Sequence, residues 1–133
     1  MRTLIELTVK ELIDSIEPFK ELLNLKLNGR TAYLLGRIMR EVDKEYNNFQ
    51  NTRNKLIEKY EMKDENGNRI INQEGNISIA PDKIDNFNQE LMDILQTKIE
   101  IYADTINLAD IEQFEFTPQQ IMILMPFIKK KKK

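Results

Sequence analysis

Leu35, Met39, Val42, Tyr46, Phe49, Leu56 and Tyr60 follow one another at spacings of four, three, four, three, seven and four, with Arg53 in the skipped position. That heptad rhythm places them along one face of a helix. Neither proline nor glycine falls between Arg37 and Met62, so a helix from about Thr31 to Glu61 is predicted, about 45 Å long at 1.5 Å per residue. A rod of that length exceeds the width of a compact domain of this size, so it is expected to protrude. Lys63 to Asn68 end it, because Asn66 and Gly67 readily take the positive φ angles of a tight turn. In RIINQEGNISI, Ile70 and Ile71 then face Ile77 and Ile79 across Gln73, Glu74 and Gly75, which predicts a small β-hairpin. Pro81 opens a second helix whose apolar set, Ile84, Phe87, Leu91, Ile94 and Leu95, repeats the heptad spacing.

The flanking segments carry shorter signals. Thr8 with Glu11 fits a capping box and starts a short helix, preceded by a brief strand over Thr3 to Leu7. Pro18 lacks an amide proton and is expected to interrupt that helix, leaving Phe19 to Leu27 as a separate one before Asn28 and Gly29. KIEIY, Lys98 to Tyr102, alternates as a strand that would pair with the N-terminal one. Thr117 and Pro118 open a closing helix through Ile121, Met122, Leu124 and Met125. The expected fold is mainly α (α+β): residues 30–97 form a long antiparallel helical hairpin with a β-hairpin tip at 63–80. Residues 1–29 and 98–128 form a small helical base with one or two short strands, within a single domain over 1–128.

Composition removes chemistries more than it adds them. The chain of 133 residues has no cysteine and no histidine. Thiol nucleophiles, disulfides, Cys/His zinc sites and imidazole bases are therefore excluded. Charges interrupt the N-terminus every few residues, so no signal peptide is expected, and no apolar run approaches the ~20 residues that span a bilayer. A soluble, intracellular protein without a membrane partner is expected. Isoleucine occurs 18 times, lysine 14 and asparagine 13 against four alanines, a bias of AT-rich codons.

Laid out in this way, the chain resembles a group of small proteins of tailed bacteriophages and prophages whose function is unassigned. The similarity rests on the short N-terminal β/α segment, the long helix ending in KDENGN, the FNQELMDIL helix, an EIEI-like strand, the INLADIEQFEF connector and the terminal TPQQIMILMPFI helix. It implies a phage origin and a one-domain α+β build, and it brings no catalytic residues.

The candidate residues are therefore surface groups. Arg37, Arg40 and Lys44 lie three and four apart on the long helix, and a stripe so spaced can track phosphates, although Glu41, Asp43 and Glu45 are interleaved with it. Asn66, Gly67, Ile70 and Ile71 mark the tip. Met122 and Met125 offer adaptable thioether contacts if the last helix is exposed. The chain ends in Lys129, Lys130, Lys131, Lys132 and Lys133, read as a disordered fringe; without them 15 basic residues oppose 22 acidic ones, about minus seven. Specific nucleic-acid binding would call for a basic face on the fold itself. Asp64 and Glu65 beside Asn66 and Gly67 lack calcium-loop spacing. Asp104, Asp110, Glu112 and Glu115 would need to converge to hold a cation.

The expectation is a non-enzymatic phage protein, without cofactor or metal, acting through protein–protein contact in the virion or the host cytoplasm. It would be an assembly component or a modulator of a host protein such as a defence factor. The alternative is a nucleic-acid-associated accessory protein using the lysine tail and the basic stripe. Arg53 in the seam would lie at an exposed edge or face an acidic residue of a second copy, so homo-oligomerisation stays open.

Overall fold

The structure, a computed structural model, describes residues 2–129. It is mostly helical, with four α-helices and one two-stranded antiparallel sheet. In chain order these are β1 (Arg2–Thr8), α1 (Val9–Leu23), α2 (Gly29–Tyr60), α3 (Ile84–Leu95), β2 (Lys98–Asp104) and α4 (Pro118–Leu124). The chain divides into two compact units, Met1–Tyr46 with Lys98–Lys133, and Asn47–Thr97.

In the first unit, period-two alternation sets the sheet. Ile5 pairs with Ile101 and Leu7 with Ile99, while Leu4 meets Tyr102 and Glu6 meets Glu100 on the opposite face. Ile5, Leu7, Ile101 and Ala103 are buried. Thr8 ends β1 and caps α1 at once: its hydroxyl accepts from the Glu11 amide at 3.1 Å, and its own amide donates to Glu11 Oε1 at 2.9 Å. The expected break at Pro18 does not occur. α1 continues through it to Leu23, and no separate helix follows over 19–27. The missing hydrogen bond and ring clash cost about 3 kcal/mol. Fully burying Phe19 and Leu22 on the next turn offsets that at about 1.5–3 kcal/mol each.

α2 begins where the Asn28 side-chain oxygen accepts from the Thr31 amide at 2.8 Å. Its buried stripe in this unit is Thr31, Leu35, Ile38 and Val42, with Met39 and Tyr46 only partly covered. The inward face is thus rotated from the heptad line by the substitution of Ile38 for Met39. Thr117 forms a capping box with Gln120 at the start of α4. Beyond it, Leu124 and Phe127 enter the core. The closing segment is tied down by a bridge between Ile106 and Ile128, with the Lys129 amide donating to the Ile106 carbonyl at 2.7 Å.

Gly36 lies exposed within α2, and a Cβ built there meets nothing within 4 Å. Gly36→Ala is therefore expected to stabilise by about 0.5–1 kcal/mol through reduced unfolded-state entropy, read as a raised urea midpoint.

The second unit contains the end of α2, α3 and the segment between them. Among the described residues of this unit Leu56 is the only buried apolar one. The Tyr60 and Phe87 rings meet edge to face at 6.2 Å, and Lys59 Nζ pairs with Glu90 Oε1 at 2.9 Å. That hydrogen bond, helped by Tyr60, raises the Lys59 pKa above its ordinary 10.5. Its stabilising contribution is whole below that value and is lost as pH climbs through the raised one.

In place of the expected hairpin of two strands, the segment after α2 forms three single-residue bridges, Glu61↔Ile79, Lys63↔Arg69 and Ile71↔Ile77. The central amides close a ring: Met62 donates to the Ser78 carbonyl, Ile70 to Met62 and Ser78 to Ile70. These residues are eight apart, and so are the turns DENGN and NQEGN between them. Both turns are built alike. Asp64 Oδ1 accepts from the amides of Asn66 and Asn68, and Asn72 Oδ1 from those of Glu74 and Asn76. Gly67 and Gly75 sit at φ +82° and +83°. In the third position of this pseudo-threefold array the Ala80 amide donates to the Tyr60 carbonyl, where the helix enters instead of a turn. Gly67→Ala and Gly75→Ala are each expected to cost about 1–2 kcal/mol, because a Cβ crowds the carbonyl at positive φ. Hydrogen exchange of the Met62, Ile70 and Ser78 amides should accelerate in both variants.

Candidate functional site

Three surfaces carry the residues singled out by the sequence. The first is a cleft of about 70 Å³ in the first unit, lined by Arg2, Arg37, Arg40, Glu41, Tyr102 and Ala103. Arg2 opens β1, Tyr102 lies near the end of the antiparallel β2, and Arg37, Arg40 and Glu41 occupy adjacent turns of α2. Arg37 Nη1 stands 3.3 Å from Asp104 Oδ2, and its guanidinium lies 5.8 Å from the Tyr33 ring centre, a cation–π distance. Lys44 turns to Glu41 at 3.5 Å and does not line the cleft. The basic stripe is therefore split: two of its three cations are held by carboxylates. Among the described residues Arg2 and Arg40 have no ion-pair partner.

The second surface is a groove of about 210 Å³ between α1 and α4, lined by Glu11, Asp14, Gln119, Met122 and Ile123. Asp14 is paired with Lys10 at 3.3 Å, and Gln120 Nε2 donates to Glu21 Oε2 at 2.7 Å, joining the two helices. The apolar residues of the C-terminal segment divide between two faces. Leu124 and Phe127 are buried, whereas Met122 and Met125 are 70% and 61% exposed. One face of the closing segment thus completes the core and the other meets solvent.

The third is the turn array. Asn66 and Gly67 shape the first turn, Ile70 is half-buried, and Ile71 is 59% exposed. Glu61 at its root is buried; Arg69 Nε lies 3.0 Å from its Oε2 and Lys63 Nζ 4.0 Å from Oε1. Oε2 nonetheless has no aligned hydrogen-bond donor, so the contact with Arg69 is ionic, off the hydrogen-bond direction.

Asp104 is engaged by Arg37, and among the described residues no three carboxylates gather where a cation could be held. Asp104, Asp110, Glu112 and Glu115 are thus not brought together. No described helix is long and apolar enough to cross a membrane. Of the lysine tail only Lys129 is described, fixed by its backbone; Lys130, Lys131, Lys132 and Lys133 lie outside the described residues.

Sequence reasoning found Arg37 and Arg40 but missed Arg2 and Tyr102. The alternation of KIEIY places Tyr102 away from the core, yet only the strand register and the packing of α2 bring it beside Arg2 and Arg37. No protein-family model matches the chain, and comparison with curated proteins and with solved structures gave no match.

Proposed function

We propose that this chain is a non-catalytic interaction module of a tailed bacteriophage. It acts by protein–protein contact in the virion or the host cytoplasm, as an assembly component or as a modulator of a host protein. The observation that carries this reading is the outer face of the closing segment: Met122, which lines the apolar groove, and Met125, on the turn after α4, stand in water although the same segment buries Leu124 and Phe127. Exposed methionines fit partner surfaces adaptably because their side chains are unbranched and polarisable. The reading also takes α3 and the adjoining part of α2 as the arms of an antiparallel helical hairpin, with the turn array as its tip and Ile71 as a second exposed contact. Two helices alone leave each other half-uncovered, as the single buried apolar residue among the described ones of that unit indicates. The phage assignment rests on the likeness of the turn, helix and connector motifs.

The test is affinity capture from infected cells with the full chain and with Met122→Ser/Met125→Ser, together with mass spectrometry of purified virions. A partner recovered by the parent and lost by the variant supports the reading. Absence from virions combined with no variant-sensitive partner overturns it.

A further inference from the structure

The arginine cleft is independent of the α1–α4 surface and has a different chemistry. The one carboxylate that lines it, Glu41, is engaged by Lys44, and of its arginines Arg37 is engaged by Asp104. Arg2 and Arg40, without ion-pair partners among the described residues, are the cationic excess of the cleft. Guanidinium groups present planar, paired donors that match the oxygens of a phosphate better than an ammonium does. The volume of about 70 Å³ holds about five water-sized atoms, enough for a tetrahedral oxyanion and too small for an aromatic base. Yet aromatic faces stand at its margin. Tyr102 lines the cleft and is 58% exposed, and Tyr33, 65% exposed, lies against Arg37. A ligand with its anion in the cleft and a flat ring on these tyrosines satisfies both features.

We propose that this cleft binds a nucleotidyl unit: Arg2 and Arg40 take the phosphate, Arg37 is held in place by Asp104, and the base stacks on Tyr102 or Tyr33. Stacking requires an unpaired base, so the source is a single strand or a free nucleotide. The basic face that nucleic-acid contact demands is thus on the fold and not in the lysine tail. With a net charge of −2 the chain has no long-range attraction for polyanions. Binding is therefore confined to the few contacts of the cleft and is sharply salt-dependent.

The experiment uses the full chain at low salt. Fluorescence anisotropy follows labelled dT12, and calorimetry follows dTMP and inorganic phosphate. The variants are Arg2→Gln/Arg40→Gln, Tyr102→Leu/Tyr33→Leu, and Gln at positions 130–133. Circular dichroism melting verifies that each remains folded, which the exposure of Arg2, Tyr33, Arg40 and Tyr102 favours. The arginine pair should weaken dT12 binding by about tenfold or more and flatten the slope of log K against log salt by about 1.4, about 0.7 for each lost contact to a single strand. The tyrosine pair should weaken dT12 and dTMP and leave inorganic phosphate unchanged. The tail variant should retain the arginine dependence. Binding of dT12 without dTMP identifies a strand as the source, and binding of dTMP with no gain for dT12 a free nucleotide. If dT12 and dTMP both fail to bind, if the arginine pair binds as the parent does, or if only the tail variant loses affinity, the proposal is overturned. Loss with the arginine pair but none with the tyrosine pair overturns the stacking role and with it the nucleotide assignment.

Discussion

Phe127→Ala is expected to destabilise the first unit by about 3–5 kcal/mol, the range for deleting a buried aromatic ring without collapse of the cavity. The ring is fully buried and meets Phe19 edge to face at 4.7 Å with planes at 77°. Its backbone is also committed, because its carbonyl accepts from the Ile106 amide at 3.0 Å, which leaves little freedom for the segment to close the hole. Urea unfolding followed by circular dichroism measures the cost as a lower midpoint. A double-mutant cycle with Phe19→Leu should show a coupling of about 0.5–1.5 kcal/mol from the ring pair. Met125→Ser, two residues earlier, is expected to change stability by no more than about 0.5 kcal/mol, as for an exposed position. If the two substitutions cost the same, the division of the closing segment into a buried and an exposed face is wrong.

The second large effect is expected at the turn array. Arg69→Ala should cost about 1–3 kcal/mol, the penalty for a buried polar group that loses its partner. Glu61 is buried at the root of the array, with Arg69 at 3.0 Å and Lys63 at 4.0 Å. Removing the nearer cation leaves a carboxylate out of water with a single distant counter-charge. Arg69→Ala/Glu61→Gln should recover part of the loss, because the neutral amide is cheaper to bury than a lone carboxylate. Amide exchange at Met62 and Ser78 reports the same effect locally. A double variant less stable than Arg69→Ala would show that Glu61 is satisfied by something other than its two cations.

Local signals carried far. The capping boxes at Thr8 and Thr117 are encoded within four residues, and both form. The alternation of KIEIY gave β2, and pairing with β1 followed. The uninterrupted run from Arg37 gave α2. Reading failed where a local rule met tertiary burial. Pro18 looked like a break, but Phe19 and Leu22 hold the helix together from outside it. The heptad line named Met39 as an inward residue, whereas Ile38 is the one fully covered. A heptad assumes one partner surface along the whole helix; in the first unit Leu35, Ile38 and Val42 of α2 join one core cluster with residues of the sheet, α1 and the closing segment, which selects a different stripe.

The candidate site was less legible than the fold for the same reason. Arg37, Arg40 and Lys44 form a stripe on any helical wheel, and nothing in their spacing tells which will be neutralised. That was decided by Asp104 arriving from β2 and by Glu41 choosing Lys44.

The capped helix starts at Thr8 and Thr117, the two paired strands, the turn glycines and the lack of thiol and imidazole chemistry were determined by the sequence alone, since each depends on residues within a turn or two or on composition. Which face of α4 is wet, and the meeting of Arg2, Arg40 and Tyr102 from three separate elements, were decided only by tertiary structure. Contacts such as that of Thr3 with Ala103, 100 positions apart, are set by packing and register, and no local preference encodes them.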